Sequence, residues 1–294
     1  MPIFGVDVSH HQGHVDWPAA RRAGVAFGIC KASEGISFTD YQCAANLYGM
    51  RAAGVQRGAY HFLRAGSGAG QARHFLSVVG DPDGVLLALD VERLADPAPN
   101  ARDVRDFAAE LGRLTGGRRL VVYTGATFWA RLTGGMDGKA AGWVLWDCGT
   151  GQHANAYVPG TGSIGQLWAK VRTAGWAGYG GWGPADRAFL QFSAAGRVPG
   201  VSGPCDVDAF FGTTAALATL AGITAAPTPT EDVDMVMVNQ PGDDKRVWLV
   251  GPGTKWLVQT PAEFDQWKAA GVRYAGAALS AVTLAALRTV EPAA

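Results

Sequence analysis

The stretch VLLALDVERL, residues 85–94, decides the fold. Val85 to Leu89 form an unbroken apolar run, the pattern of a strand covered on both faces, and such strands belong to parallel sheets flanked by helices. The run then ends in Asp90 and Glu92, with Val91 between them. Side chains alternate across a strand, so the two carboxylates share a face with their α-carbons about 6.5 Å apart, while Val91 points the other way. A strand can be apolar through a barrel wall and acidic where it emerges.

Working outward, strands alternate with helices. IFGVDVS is followed by DWPAARRAG, with Asp16 as a helix cap and Gly24 as a stop; VAFGICKASE by YQCAANLYGMRAAG, closed by Gly54; and VQRGAYHFLR by AGQARHFLSVVG. VLLALDVE leads into the helix NARDVRDFAAELGRLTGG, and RLVVYTG into a shorter one, ATFWARL. After that, WVLWDCG, FLQFS and PCDVDAFFG read as strands joined by irregular chain rich in Gly and Trp. Alternating βα units imply parallel strands and right-handed crossovers. The pattern predicts an α/β fold, an irregular TIM-like barrel of five βα units and then three strands, with a doubly wound open sheet as the alternative.

Composition bounds the rest. The chain has 294 residues, 48% of them hydrophobic, enough for one large domain and a small one. Lys+Arg and Asp+Glu both total 25, so no basic field exists to hold nucleic acid or an anionic membrane. No apolar run approaches the roughly 20 residues that span a bilayer. The start, MPIFGVDVSHHQG, lacks a basic segment followed by a longer apolar one, which leads us to expect a protein made in the cytoplasm without a signal peptide. Cys30, Cys43, Cys148 and Cys205 are widely spaced with no C-x-x-C pair, so buried thiols are expected, and neither a metal nor a cofactor.

ITAAPTPTEDVD, residues 223–234, reads as a linker between a barrel over 1–222 and a small α+β domain over 235–294. In the latter MVMVN, RVWLV and WLVQT are expected strands. TPAEFDQWKAAG is an expected helix, with Thr260 and Glu263 spaced as a capping box, and LSAVTLAALRTV a second one. A core of about 60 residues is marginal, which points to docking or self-association.

In TIM-type barrels reactive groups sit at the C-terminal ends of the strands. Asp7, Lys31, Glu34, Tyr60, His61, Asp90, Glu92, Trp146, Gln191 and Asp206 all fall near such an end by this reading and should converge on one mouth. Mutual repulsion and partial burial of Asp90 and Glu92 would raise one pKa and leave the other group ionised. Glycoside hydrolysis needs that combination, a proton for the leaving oxygen and a negative charge near a cation-like sugar. An isolated D-x-E more often merely ends a strand or pairs with a neighbour such as Arg93. Lys31, Glu34, Tyr60, His61, Trp146 and Gln191 are candidate substrate-binding residues, although Lys31 with Glu34 also fits a structural ion pair and Tyr60 with His61 a polar plug. His10, His11 and His14 fit loop polarity or substrate contact better than a metal site. Trp168, Trp176, Tyr179 and Trp182, in the Gly-rich stretch 161–187, suit either a glycan wall or rings that close the helix-poor side.

Taken in order, GVDVSHHQG, KASEG, AYHF, LDVE, YTG, LW, LQFS and DVDAFFG resemble the family 25 glycoside hydrolases, the N-acetylmuramidases often called Chalaropsis-type lysozymes, over residues 3 to about 212. The resemblance implies a flattened, incomplete barrel with five helices and cleavage of the β-1,4 bond between N-acetylmuramic acid and N-acetylglucosamine. It implies Glu92 as general acid, Asp90 as the group that orients or stabilises the intermediate, and Asp7 and Asp206 as the other carboxylates of the mouth. Retention of configuration is implied, with the substrate's acetamido group or a carboxylate as nucleophile. Asp208 stands where an asparagine is common, which adds an acid able to shift local pKa values. The implied partner is bacterial peptidoglycan. The implied setting is a bacteriophage endolysin, released to the wall through a holin-type membrane lesion, or an actinobacterial lytic enzyme, with the tail binding wall or self-associating. Two alternatives stand beside this: a chitinase-like glycosidase, disfavoured because Ala88 lacks the extra acid of D-x-D-x-E, and a catalytically silent glycan-binding barrel, disfavoured by the presence of Asp7, Asp90 and Glu92.

Overall fold

The computed structural model describes residues 1–92, 97–149, 156–172 and 175–223, together with five strand segments between 236 and 290. It divides into two units, Met1–Thr224 and Ala225–Ala294.

The first unit is built on β1 (Ile3–Val8), β2 (Phe27–Glu34), β3 (Phe38–Thr39), β4 (Gln56–Phe62), β5 (Val85–Asp90), β6 (Val121–Thr124), β7 (Val144–Asp147), β8 (Arg187–Gly196) and β9 (Cys205–Phe210). Around the barrel the order is β1, β2, β4, β5, β6, β7, β8, β9, and β9 pairs back onto β1, so eight strands close on themselves while β3 is a short antiparallel arm on β2. The five βα units and three following strands expected of a TIM-like barrel are therefore present, and the open-sheet alternative falls.

One expectation is corrected. β1, β2 and β4 to β8 run parallel, but β9 is antiparallel to both its neighbours. Only residues 197–204 join β8 to β9. A parallel return needs a crossover of roughly a dozen or more residues, so a connection this short turns the chain back on itself.

Five helices follow the first five strands of the barrel wall: α1 (Trp17–Arg22), α2 (Cys43–Ala52), α3 (Gly68–Val79), α4 (Ala101–Leu114) and α5 (Ala126–Thr133). Asp16 caps α1 by accepting from the Ala19 N–H at 2.9 Å. α4 starts at an Asn100/Asp103 capping box and buries Val104, Phe107 and Leu111, which recur at helical spacing on one face. The described residues add two short helices, α6 (Ile164–Trp168) and α7 (Thr214–Leu220), to the five that the resemblance implies.

The core has two shells, separated by strand alternation. Inside the barrel, Phe27, Ile29, Leu86, Ala88, Val121, Val144, Phe189 and Phe210 pack on one another, and Leu217, Leu220 and Ala221 plug the end away from the site. Gly5 is required here, because a Cβ at that position would lie 2.4 Å from the Phe27 ring. Between barrel and helices lie Leu87, Leu89, Val91, Phe75, Phe107 and Leu111. The alternation of Leu86 and Ala88 inward with Leu87 and Leu89 outward is why residues 85–89 are apolar at every position.

On the helix-poor side the tryptophans take the place of a helix. Trp176 and Trp182 are buried, Trp182 packs 5.2 Å from Trp129, and its indole N–H donates to the Trp143 carbonyl. The Tyr179 hydroxyl donates to Asp147, which pairs with Arg187 at 2.9 Å, and the Arg187 guanidinium lies 3.9 Å over Trp176. Trp168 packs on Phe4 and Phe192. These rings close the wall.

The second unit contains β10 (Val236–Gln240), β11 (Asp243–Gly251), β12 (Thr254–Val258), β13 (Arg273–Gly276) and β14 (Arg288–Val290), in the sheet order β13, β10, β11, β12, β14. The three expected strands correspond to β10–β12. β13 was not expected, and the end of LSAVTLAALRTV is strand rather than helix, because Arg288–Val290 pairs in parallel with Thr254–Trp256. The rest of that stretch, the expected helix over 260–271 and residues 224–234 of the expected linker lie outside the described residues.

Candidate active site

A cavity of about 330 Å³ opens where the parallel strands end. Of the expected site residues, Asp7, Tyr60, Asp90, Glu92, Trp146, Gln191 and Asp206 line it. Asp7, Tyr60, Asp90, Glu92 and Trp146 reach it from the C-terminal half or end of a parallel strand, or just beyond, and Gln191 from the middle of the long strand β8. Asp206 reaches it from the opposite sense: it is the second residue of β9, and the reversed direction of that strand brings its beginning to the mouth. Its expected position at a C-terminal strand end was wrong, although the residue does belong to the mouth.

Strand register sets the geometry. Asp7 faces Asp206 directly across the β1–β9 pair, and Gly5 faces Asp208. Asp90, Tyr123 and Trp146 are successive register partners across β5, β6 and β7, so they form one level of the wall. Gln191 donates from Nε2 to Asp7 Oδ2 at 2.8 Å and accepts from the Tyr123 hydroxyl at 2.8 Å. The Trp146 indole N–H donates to Asp208 Oδ1 at 2.9 Å, which holds the ring edge-on to Tyr123, 4.8 Å between centroids.

Three candidates are not among the residues that line the cavity. Lys31 pairs with Glu34, and Glu34 also pairs with Arg64, so these form an ion-pair arm, with the Lys31 amine 5.4 and 5.1 Å over the Phe38 and Phe62 rings. His61 is corrected as a binding residue. It follows Tyr60 on β4 and so points out of the barrel, where it is fully buried against Phe107 and hydrogen-bonded to Ser33 and Gln71. Burial pushes it down to about 3, so it is a neutral core histidine. His10 pairs with Asp40 at 2.7 Å and stacks near His11.

The electrostatics are dominated by burial. It raises Asp90 well above the ordinary carboxylate range, with the Glu92 charge adding to this and Lys31 opposing it. It also raises Glu92, with the Asp206 charge adding and Lys31 again opposing. Asp206 is pushed up to about 6 by burial, held back by a hydrogen bond from Asp7. Asp7 and Asp208 are pushed well up by burial and by nearby carboxylates, Asp206 among them. The expectation that only one of Asp90 and Glu92 would be raised is therefore corrected: both are, and the more buried Asp90 is raised well above its range. Such a cavity holds protons on acids at a pH where exposed carboxylates have lost theirs, which is the condition for general acid catalysis.

Tyr123, Tyr157 and Ala194 line the cavity without having been named as candidates. The YTG motif contains Tyr123, and its place at a strand end was signal enough to include it. Tyr157 lies in irregular chain between β7 and β8, where no periodicity reports on direction.

Comparison with known proteins agrees with this geometry. The family model described as glycosyl hydrolases family 25 matches residues 6–201. Lysozyme M1 of Streptomyces globisporus is 35% identical over 237 residues, covering 76% of this chain and 72% of that protein. The N,O-diacetylmuramidase of Chalaropsis sp. is 31% identical over 152 residues, 46% of this chain and 72% of its own. Among solved structures, a bacterial lysozyme from Streptomyces coelicolor superposes with a TM-score of 0.62 at 33% identity, over 76% of this chain and 99% of that one. A muramidase from Acremonium alcalophilum gives 0.58 at 28%, over 74% and 98%. With the family model spanning most of the barrel and the relatives agreeing with it, the chain belongs to glycosyl hydrolases family 25 and is a glycoside hydrolase.

Proposed function

We propose that the barrel cleaves the β-1,4 bond between N-acetylmuramic acid and N-acetylglucosamine in bacterial peptidoglycan, with Glu92 as general acid. The observation that carries this is the position of Glu92: it lines the cavity at the end of β5, half-buried, with its proton retained by burial and by the Asp206 charge. Asp90, deeper and next to it, assists by orienting the reacting sugar. Tyr60, Tyr123, Trp146 and Gln191 present ring faces and hydrogen-bonding groups suited to a sugar. The printed names of the relatives, lysozyme and N,O-diacetylmuramidase, support the choice of substrate.

Digestion of purified peptidoglycan, followed by identification of the new reducing end, tests the reading. Muramic acid at that end supports it, glucosamine would indicate the other glycosidic bond, and free amino groups would point to an amidase or peptidase. We also propose that residues 235–294 hold the enzyme on the wall, in the manner of a modular lytic enzyme, where high local concentration replaces tight binding.

A further inference from the structure

Two cysteines that the cleavage scheme leaves unused meet behind the barrel wall. Cys30 lies on β2 and Cys43 is the first residue of α2. The Cys30 sulfur is 4.0 Å from the Cys43 sulfur, 3.8 Å from the Cys43 carbonyl oxygen and 3.5 Å from that of Gly58. Both residues are buried, and neither is among those that line the cavity.

The chain between them brings the two together. Strand alternation turns Phe27 and Ile29 into the barrel and Cys30 outward, where it packs in the outer shell with Cys43, Leu47 and Met50 of α2. β2 then folds back as β3, with Ser33 opposite Thr39 and Glu34 opposite Phe38. The Asp40 N–H donates to the Ala32 carbonyl at 2.9 Å, which draws the chain back along β2, and the Cys43 N–H donates to the Asp40 carbonyl at 3.1 Å, which seats the first turn of α2 beside Cys30. The other cysteines are placed differently. Cys205 donates to the Gly196 carbonyl at 3.6 Å, and Cys148 follows β7, three strands from β2 in either direction round the barrel. In a disulfide the sulfurs are about 2.05 Å apart and the two side chains converge. These side chains already converge, so closure needs a movement of about 2 Å, within reach of side-chain rotation and a small shift of one helix end.

We propose that Cys30 and Cys43 are a disulfide-forming pair, oxidised by small-molecule disulfides outside a reducing compartment, and that the bridge ties the arm of residues 31–42 at its base and locks β2 to α2. A thiolate of the pair attacks the small disulfide R–S–S–R, which gives a mixed disulfide and one R–S⁻ that takes up a proton. The second protein thiol then loses its proton and displaces the other R–S⁻. In sum, two protein S–H groups and one R–S–S–R become one protein S–S bond and two R–SH. Burial pushes the Cys30 thiol up, so its thiolate is scarce in the closed fold and exchange waits on local opening. The arm so tied carries the Lys31–Glu34 pair and Asp40, the partner of His10. The setting, though not the chemistry, rests on the proposed substrate, because peptidoglycan lies beyond the cytoplasmic membrane, where disulfides persist.

The test uses full-length protein purified under reducing conditions and held for some hours, just below its melting temperature, in oxidised glutathione with a trace of the reduced form. Free thiols are then blocked with iodoacetamide and the protein is digested with trypsin. Cleavage after Lys31 separates the two cysteines, so residues 23–31 and 32–51 stay joined only through a bridge, while Cys148 and Cys205 fall in peptides 140–170 and 198–245. The expected result is the joined pair 23–31 and 32–51 as the main linked species, lost on reduction. Closing this loop should raise the melting temperature of the oxidised protein roughly 5–10 °C above that of the reduced one, and Cys43→Ser should melt at one temperature under both conditions. A map dominated by another pairing, four free thiols after the incubation, or an oxidised protein that melts no higher than the reduced one overturns the proposal. The map needs no variant and decides the matter even if Cys43→Ser does not fold. A protein that released no muramic acid ends from peptidoglycan would defeat the substrate reading and leave the peptide map standing.

Discussion

Asp7 and Asp206 face each other as register partners across the seam where β1 meets β9. The contact ties the first strand of the barrel to the last and puts the Asp206 charge where it acts on Glu92.

The first expected outcome follows from that charge. Asp206→Asn removes the negative charge that raises Glu92, so Glu92 loses its proton at lower pH and the alkaline limb of kcat should move to lower pH. Asp90→Asn should leave that limb in place, because Asp90, raised well above the ordinary range, is still neutral as Glu92 titrates. pH–rate profiles of both variants on soluble fragments decide this; a shift with Asp90→Asn and none with Asp206→Asn would reverse the assignment.

Glu92→Gln should lower turnover roughly a hundredfold or more with the fold intact, since an amide has no proton to give the leaving oxygen. Near-normal activity in a variant whose circular dichroism and melting temperature match wild type would remove Glu92 from the mechanism.

Stability should carry the opposite pH signature to that of an ordinary ion-paired carboxylate. Asp206 is pushed up to about 6 in the folded protein, against about 3.9 for an ordinary aspartate, so its contribution is fully present below the lower figure and is lost as pH rises through the upper one. Calorimetry between these pH values and neutrality should show the melting temperature of wild type falling, relative to Asp206→Asn, as pH increases. Parallel curves for the two proteins would contradict the raised value.

Gly5→Ala tests the barrel interior. A methyl group 2.4 Å from the Phe27 ring must displace it against Phe189, and overpacking of this kind costs about 1–3 kcal/mol. Urea denaturation should show a lower midpoint at an unchanged slope. An unchanged midpoint would mean that the ring has room to yield.

Residues 1–224 alone should cut soluble fragments at close to the full-length rate, since every cavity residue lies within them. The shortened chain must keep Leu217, Leu220 and Ala221, which plug the barrel, and Arg118, which donates to the carbonyls of Val85 and Leu220. On whole walls, loss of the tail should reduce lysis. Residues 235–294 fused to a fluorescent protein should pellet with wall preparations. If they do not, and truncation turns a multimer into a monomer, the tail serves association instead.

Most of the barrel was legible because strand and helix periods differ and the loops between them are short. The run at 85–89 and the capped helix at 100–114 leave little choice of structure. What could not be read was direction. Nothing in CDVDAF says that β9 runs backwards; that follows from the length of 197–204, which is too short for a crossover. The site was legible wherever one side chain ended a strand, as with Asp7 and Glu92. It was misread where two neighbours were both taken, because Tyr60 and His61 cannot both face inward. Lys31 and Glu34 read as site residues or as an ion pair, and the charges within reach of one another settle on the pair. Tyr157 arrives through irregular chain, whose course depends on packing against β8.

The β1–β9 seam also bears on how the enzyme comes into being. Residues 3–8 find their antiparallel partner only at 205–210, a contact of very high sequence separation, and such contacts form late in folding. During synthesis the first strand waits, paired with β2 alone, until almost all of the barrel has left the ribosome. Asp7 acquires Asp206 only at that moment, so assembly of the acid cluster coincides with closure, and a chain that stops short of β9 has no working site to misdirect.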